Sequence, residues 1–344
     1  MSGTRLFRFC LIGVLALFIW QPMSVGQGSN VVFVTAPELV SQGFAGSMSR
    51  ANFELQGVIP VASALSFPTA IVCAPFTGPV GKLYVAEFTE NNSNPLPGEN
   101  GPETRIVEFD TSGNRGPVIA RVPASFVVSM TLGPNGDLYI GTGVYPGMTE
   151  WTGVWHASTS RTEAEATQVV APEALQELLD LLETTVNPRN PEVRQLTIIP
   201  DVPSGRPFAG ELLFAAGAGT LRNFDIYRAT ANGGSVGSPQ KVTALGSPWH
   251  NVDSDELGNI FVADFLNGNI ASVSQDLQST QLFAEIVEPF QIAAASDSRV
   301  YVTTKEFEFD RIVSGKKAST LWQIDRFGRL PVGAAGAWGV TICS

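Results

Sequence analysis

The chain has 344 residues, 44% of them hydrophobic and 15% charged, which is enough to fill a sizeable core and excludes a wholly disordered or fibrous chain. Its 21 Lys and Arg are outnumbered by 32 Asp and Glu, and a net charge of −11 offers no basic surface to nucleic acid or to anionic membranes. With 34 Gly and 23 Pro beside a single helix-like stretch, the composition points to many short strands joined by tight turns.

Arg5 and Arg8 precede an apolar run from Phe9 to Trp20, and Ser24 and Gly26 follow as the small residues a signal peptidase accepts. Residues 1–26 therefore read as a secretory signal cleaved near Gly26, with an uncleaved N-terminal anchor as the alternative. The run of about 12 residues is short for a bilayer span, which takes ~18 or more. Cleavage removes two Arg and no acid, leaving an acidic domain over residues 27–344. The expected product is a monomer, secreted or periplasmic, with no membrane contact after cleavage. Only Cys73 and Cys343 remain in it. An even pair in an oxidising compartment points to a bridge, and two small buried hydrophobes on neighbouring strands are the competing reading.

One phrase then recurs along the chain: a short apolar strand, a turn bearing Gly or Asp, and a second strand of the type Leu-Tyr-Val-Ala. Its instances are residues 69–88, 128–142, 195–216, 250–265 and 291–304. The clearest runs from His250 to Asp264 with Gly258-Asn259 as the hairpin turn, and Gly133-Pro-Asn-Gly-Asp137 is the equivalent turn before Leu138. Second strands begin at Leu83, Leu138, Leu212, Ile260 and Val300, at intervals of 55, 74, 48 and 40 residues. About 40 residues make one propeller blade, so the excess is insertion. Third strands follow at 105–110, 152–156, 224–228, 269–273 and 320–325, which gives five hairpin-rich units.

The insertions differ in kind. Residues 90–103 are rich in Asn, Pro and Gly and read as a surface loop, with Asn91-Asn-Ser93 as a sequon. The largest lies at about 158–194, where Pro172 to Glu183 carries Leu175, Leu178, Leu179 and Leu182 at helical spacing. That helix packs on its blade or meets a partner. In residues 305–319, Glu306, Glu308 and Asp310 alternate with Phe307 and Phe309, as in a strand with one acidic face.

The two ends supply a sixth unit. Residues 337–342 repeat the first-strand phrase and then stop, whereas residues 30–35 repeat the second-strand phrase with no first strand before them. One strand from each end would complete a blade and hide the sheet edges of an open array. The expected architecture is an all-β, six-bladed β-propeller closed by N- and C-terminal strands, with one helical insertion. A five- or seven-bladed ring is the alternative count.

The phrase resembles that of the NHL-repeat, streptogramin-lyase and gluconolactonase-like group of six-bladed propellers, over essentially residues 30–343. Gluconolactonase-like enzymes hold a divalent metal with Glu, Asn and Asp at inner-strand positions. Here His250 stands where their phrase has Asp, so no metal is expected. Asp253 and Glu87 are the displaced ligands left to that reading. Streptogramin lyases abstract a proton within the channel, a step that a His with an Arg could perform; their likeness implies further His and acidic partners, which this sequence does not offer at recognisable positions.

Alignment of the repeats places Thr69, Val128, Arg194, His250, Phe290 and Trp338 at the starts of the first strands, where ligands meet a propeller channel. Trp249, Phe290, Trp338 and Thr69 are the expected ligand-binding residues, the aromatic ones as stacking surfaces. His250 and Arg194 are the candidate catalytic pair, as general base and oxyanion partner; a His that merely satisfies backbone groups at a strand start is the plainer reading. Asp253-Ser-Asp255-Glu-Leu-Gly258 reads as a turn rather than a calcium loop. No nucleophile elbow, phosphate-cradling loop or zinc motif occurs, and no cofactor is expected. The expected role is an exported scaffold that binds a small ligand, such as a carbohydrate, or a protein partner at the channel mouth. A lyase or hydrolase using His250 as general base is the alternative.

Overall fold

The recurring apolar strands pair as antiparallel meanders, because each hairpin turn returns the chain beside the strand it has just left. The computed structural model describes residues 31–40, 43–52, 57–63, 65–74, 81–89, 103–123, 126–143, 152–171, 173–174, 192–203, 205–217, 224–246, 248–296, 298–304, 321–325, 328–332 and 339–343. They form six sheets.

In chain order, β1 (Val31–Val40), β2 (Gly43–Asn52) and β3 (Gly57–Ser63) make a three-stranded meander. Blade 1 is β4 (Pro68–Cys73), β5 (Lys82–Thr89), β6 (Glu103–Asp110) and β7 (Arg115–Pro123). Blade 2 contains β8 (Phe126–Leu132), β9 (Leu138–Gly143) and β10 (Gly153–Ala157); β11 (Ala164–Glu165) then crosses to pair parallel with β7, before β12 (Thr167–Val170) returns to β10. Blade 3 is β13 (Glu192–Ile198), β14 (Glu211–Gly217) and β15 (Phe224–Asn232), against which both β16 (Ser235–Val236) and β17 (Gln240–Lys241) pair. Blade 4 is β18 (Asn251–Ser254), β19 (Ile260–Asp264), β20 (Asn269–Val273) and β21 (Thr280–Glu285). Blade 5 is β22 (Pro289–Ala295), β23 (Arg299–Thr304), β24 (Leu321–Asp325) and β25 (Gly328–Val332). Finally β26 (Val340–Cys343) pairs with β1, Val34 opposite Val340, and becomes the inner strand of blade 6. The protein is a six-bladed propeller closed by one strand from each end.

Second strands are apolar at successive positions because both of their faces are covered. In β5, Leu83 and Val85 pack toward blade 6 with Phe33 and Met48, while Tyr84 and Ala86 pack toward blade 2 with Leu138 and Ile140. The same division recurs between every pair of neighbours, so there are six interblade cores rather than one. Each fully buried Val, Leu, Ile or Phe contributes about 1.5–3 kcal/mol. Burial falls outward from the axis: all of β19 is buried, whereas β21 at the rim of the same blade is largely exposed.

Turn chemistry follows the sequence. Asp255 accepts the backbone N–H groups of Leu257 and Asn259 at 3.0 and 2.7 Å, and its other oxygen takes the Asn259 side-chain amide at 2.7 Å. Asp110 treats Ser112 and Asn114 in the same way in the β6–β7 hairpin. Both turns need a left-handed residue before the Asn, and Gly258 (φ +72°) and Gly113 (φ +91°) supply it. The Asp253–Gly258 stretch is thus a turn built around Asp255.

The seam is doubly fastened. Beside the β1–β26 pairing, Cys73 on β4 is bonded to Cys343 on β26, with Cα atoms 5.5 Å apart, which decides between the two readings of this pair. The bond spans 270 residues and joins the inner strands of blades 1 and 6. The segment 1–26, the sequon at Asn91, the stretch 305–319 and Trp338 lie outside the described residues, as does the expected helix at 172–183 except for Glu173 and Ala174, which are helical.

Candidate functional site

Six inner strands surround the axis in the order β26, β4, β8, β13, β18, β22, each against the next. Near the start of four of these strands the register slips by one residue. The extra residues are Thr69 in β4, Val128 in β8, Arg194 in β13 and Phe290 in β22. At β18 the N–H of His250 meets the carbonyl of Ala263 at 2.8 Å although Ala263 already pairs with Asn251. The positions selected by repeat alignment in blades 1 to 5 are therefore a recurring geometry, a β-bulge at the start of the inner strand. A bulge bends the strand and re-aims its side chain. Thr69, Arg194 and His250 at these positions each contact the neighbouring blade.

The expected site residues occupy this end. Thr69 is buried, and its hydroxyl donates to the carbonyl of Val127 at 2.6 Å. His250 is fully buried; its Nδ1 accepts the N–H of Phe265 at 3.0 Å, and its ring lies 5.1 Å from that of Phe224 and 6.0 Å from that of Phe265. Arg194 covers the same two rings, its guanidinium carbon 4.9 Å from the Phe224 centroid and 5.7 Å from that of Phe265, and its Nε donates to Glu192 at 2.7 Å. The two candidate catalytic side chains thus share one aromatic pair. Trp249 packs against the core between blades 3 and 4 and donates its indole N–H to the carbonyl of Leu245 at 2.8 Å. Phe290 is 9% exposed.

Just past the bulges, two glutamines cross the axis. Gln195 on β13 donates to the carbonyl of Ile292 at 2.6 Å and accepts the Ile292 N–H at 3.2 Å, pairing with β22 as a strand would. Gln291 on β22 donates to the carbonyl of Val128 on β8, the strand opposite it in the ring. Elsewhere Thr341 accepts the N–H of Cys73 at 3.1 Å, and Asn251 donates to the carbonyl of Pro289 at 3.3 Å. Inner strands of neighbouring blades share no ladder, so their inward-facing backbone groups need these side-chain partners.

Beyond the glutamines the channel widens. A cavity of about 220 Å³ is walled by residues from all six inner strands, among them Ile71, Thr131, Leu196, Asp253, Ala293 and Thr341, and Glu256 and Ser296 stand at its turn end. Gln195 and Gln291 bound it toward the bulges. None of Thr69, Arg194, Trp249, His250 or Phe290 lines it. The open space lies where first strands turn into second strands, the opposite end from the mouth expected from the sequence. Among the described residues at the strand starts, Thr69, Arg194, His250 and Trp249 are held by hydrogen bonds and ring contacts with neighbouring strands or turns.

Asp253 is the one charged residue in the middle of the wall. Its Oδ2 accepts the N–H of Ala294 on β22 at 2.8 Å. Burial pushes its carboxyl up to about 7, against the lowering influence of that bond and of hydrogen bonds from the Ser254 N–H and the Thr197 hydroxyl; Asp255 nearby raises it further. Its counterparts in the other inner strands are Val72, Thr131, Thr197, Ala293 and Thr341. An acid in a register otherwise held by Val, Thr and Ala was the signal available in the repeat; so was a pair of Gln where other blades place Ala70, Ser129, Asn251 and Gly339.

Comparison with known proteins decides the architecture. A chain in the crystal structure of a nidogen/laminin complex superposes with a TM-score of 0.57 over 92% of this chain and 99% of that one, at 10% identity. By fold, this chain is a six-bladed propeller. In all, 484 chains of solved structures match, so the propeller scaffold is widely used and its presence alone assigns no activity. No family model matches the sequence, and no curated protein does.

Proposed function

We propose that this propeller is an exported, monomeric scaffold that binds a small molecule in the axial cavity. The carrying observation is a pocket walled by all six inner strands and bounded at one end by Gln195 and Gln291, with a half-buried carboxyl, Asp253, on its side. Concave sites that combine apolar surface with placed polar groups and a perturbed acid are where ligands bind. At about 220 Å³ the space suits a small molecule rather than a polymer.

The alternative, a lyase or hydrolase with His250 as base, draws less support from the geometry. The imidazole is enclosed by Phe224 and Phe265, and its Nδ1 already holds a backbone N–H. A screen of sugars, polyols, amines and carboxylates by thermal shift tests the cavity reading, with Thr131→Trp filling the pocket. At least one compound should raise the melting temperature of the wild type and leave the variant unmoved. Equal shifts in both proteins, or none in either, would overturn it.

A further inference from the structure

We propose that the ligand of the axial cavity is a small organic cation with an apolar body, a primary ammonium whose charged head rests on Asp253 and whose hydrocarbon lies against Ile71, Met130, Leu132 and Ala293. This rests on the cavity being a binding site, as argued above, and adds the chemical class of what binds there.

The wall charges carry the argument. Among the described residues lining the cavity there is no Lys, Arg or His, and the acids are Asp253 and Glu256. The elements packed around Asp253 bring it no cation. Next to it β13 presents Thr197, β22 presents Ala294, and β19 presents Phe261 opposite it in the ladder. The turn after β18 adds two more acids. Of these, Asp255 is tied to Asn259 and lies in the field of Arg206. Where the strands begin, Arg194 is committed to Glu192. An anion would therefore find no counter-charge on the described wall.

A buried carboxylate without a counter-charge is costly, and it escapes that cost either by holding a proton or by gaining a cation. The empty cavity shows the first solution, since burial, with Asp255 nearby, holds Asp253 up to about 7. A ligand that brings the positive charge supplies the second. The remaining wall is mixed: Val72, Leu196, Ile292, Val340 and Ile342 stand beside the four apolar residues already named, and Ser129, Thr131, Gln195, Gln291 and Thr341 add neutral polar groups. Its apolar part would take a short hydrocarbon out of water. A cavity of about 220 Å³ bounds the ligand to a small molecule.

Binding of a cation to the ionised carboxylate must displace the proton, so affinity and pH are linked. Below the Asp253 value each bound cation releases one proton; above it, none. Benzylammonium, which keeps its charge from pH 6 to pH 8, should bind about tenfold more tightly at pH 8 than at pH 6.

Calorimetry on the whole folded chain tests this with benzylammonium chloride, benzyl alcohol and sodium benzoate as probes, in two buffers of different ionisation enthalpy. The expected result is benzylammonium at least tenfold tighter than benzyl alcohol, no binding of benzoate, proton release at pH 6, and loss of both the preference and the proton release in Asp253→Asn. If benzyl alcohol or a sugar binds as tightly as the amine and Thr131→Trp abolishes it, the cavity reading stands and the cation is overturned. The cation is also overturned if Asp253→Asn leaves the amine affinity unchanged, or if sodium or calcium ions alone reproduce the proton release. Absence of binding by every probe, whatever its charge, would overturn the cavity reading as well.

Discussion

The same six strands build both ends of the channel, yet their side chains do different work at the two ends. Where the strands begin, the described side chains of Thr69, Arg194 and His250 reach a carbonyl or aromatic rings of neighbouring strands. Where the strands end, Val72, Thr131, Leu132, Asp253, Ala294 and Ile342 are among the residues that leave an opening of about 220 Å³. The lesson is that the chemistry of the residues alone misleads, because His, Arg and aromatic rings at a repeated position look like a site while serving as packing.

That contrast can be broken most severely at the seam both ends share. Replacing Cys73 and Cys343 by Ser together, or reducing their bond, removes a cross-link over 270 residues, and unfolding should become easier by up to ~5 kcal/mol. Thermal melts with and without reductant measure it. A loss below 1 kcal/mol would mean that the β1–β26 ladder alone secures the ring.

Where the strands begin, His250→Ala empties the space between Phe224 and Phe265 and leaves the Phe265 N–H unpaired, so about 2–4 kcal/mol of stability should be lost in denaturant titration. A variant that keeps full stability but no longer binds a cavity ligand would move the site to this end.

Where the strands end, the expected sign is opposite. The folded form of Asp253 holds its proton up to about pH 7, whereas the unfolded chain gives it up near 4, so folding is helped below pH 4 and that help drains away as pH rises to 7. Asp253→Asn should flatten this slope and stabilise the protein at pH 7.5, by on the order of 2 kcal/mol. Chemical denaturation at pH 5 and pH 7.5 reads both arms, and an unchanged slope would mean that Asp253 is ionised across the range. Least of all, Gln291→Ala should cost about 1 kcal/mol through its lost bond to Val128 and open the floor of the cavity to larger ligands.

Much of the architecture was legible because the repeat is repeated chemistry. The Leu-Tyr-Val-Ala type of second strand needs apolar residues on both faces, and only a strand sandwiched between two blades asks for that; hence β5, β9, β14, β19 and β23 could be placed from sequence. Closure by residues 30–35 and 337–342 followed from two half-phrases, and the β1–β26 pairing carries it out. The site was less legible. Alignment found the bulge position in blades 1 to 5 but could not say which way a bulged side chain turns, because that depends on the register slip and not on residue type. Asp253 stood in view as part of an apparent turn motif; its neighbour Asp255 makes the turn, and the alternation of the strand sends Asp253 to the cavity instead.

The strand exchange in blade 6 also sets a timetable. Thr35 and Gly339 are hydrogen-bonded partners 304 residues apart, so the earliest sheet to leave the ribosome is the last to be completed. Until β26 is synthesised, β1 carries a bare edge and the apolar face of blade 6 has nothing to rest on. Pairings this distant in sequence are slow to find, and the waiting chain is prone to aggregate. Nascent chains stalled before residue 340 should therefore need a chaperone that the finished ring does not.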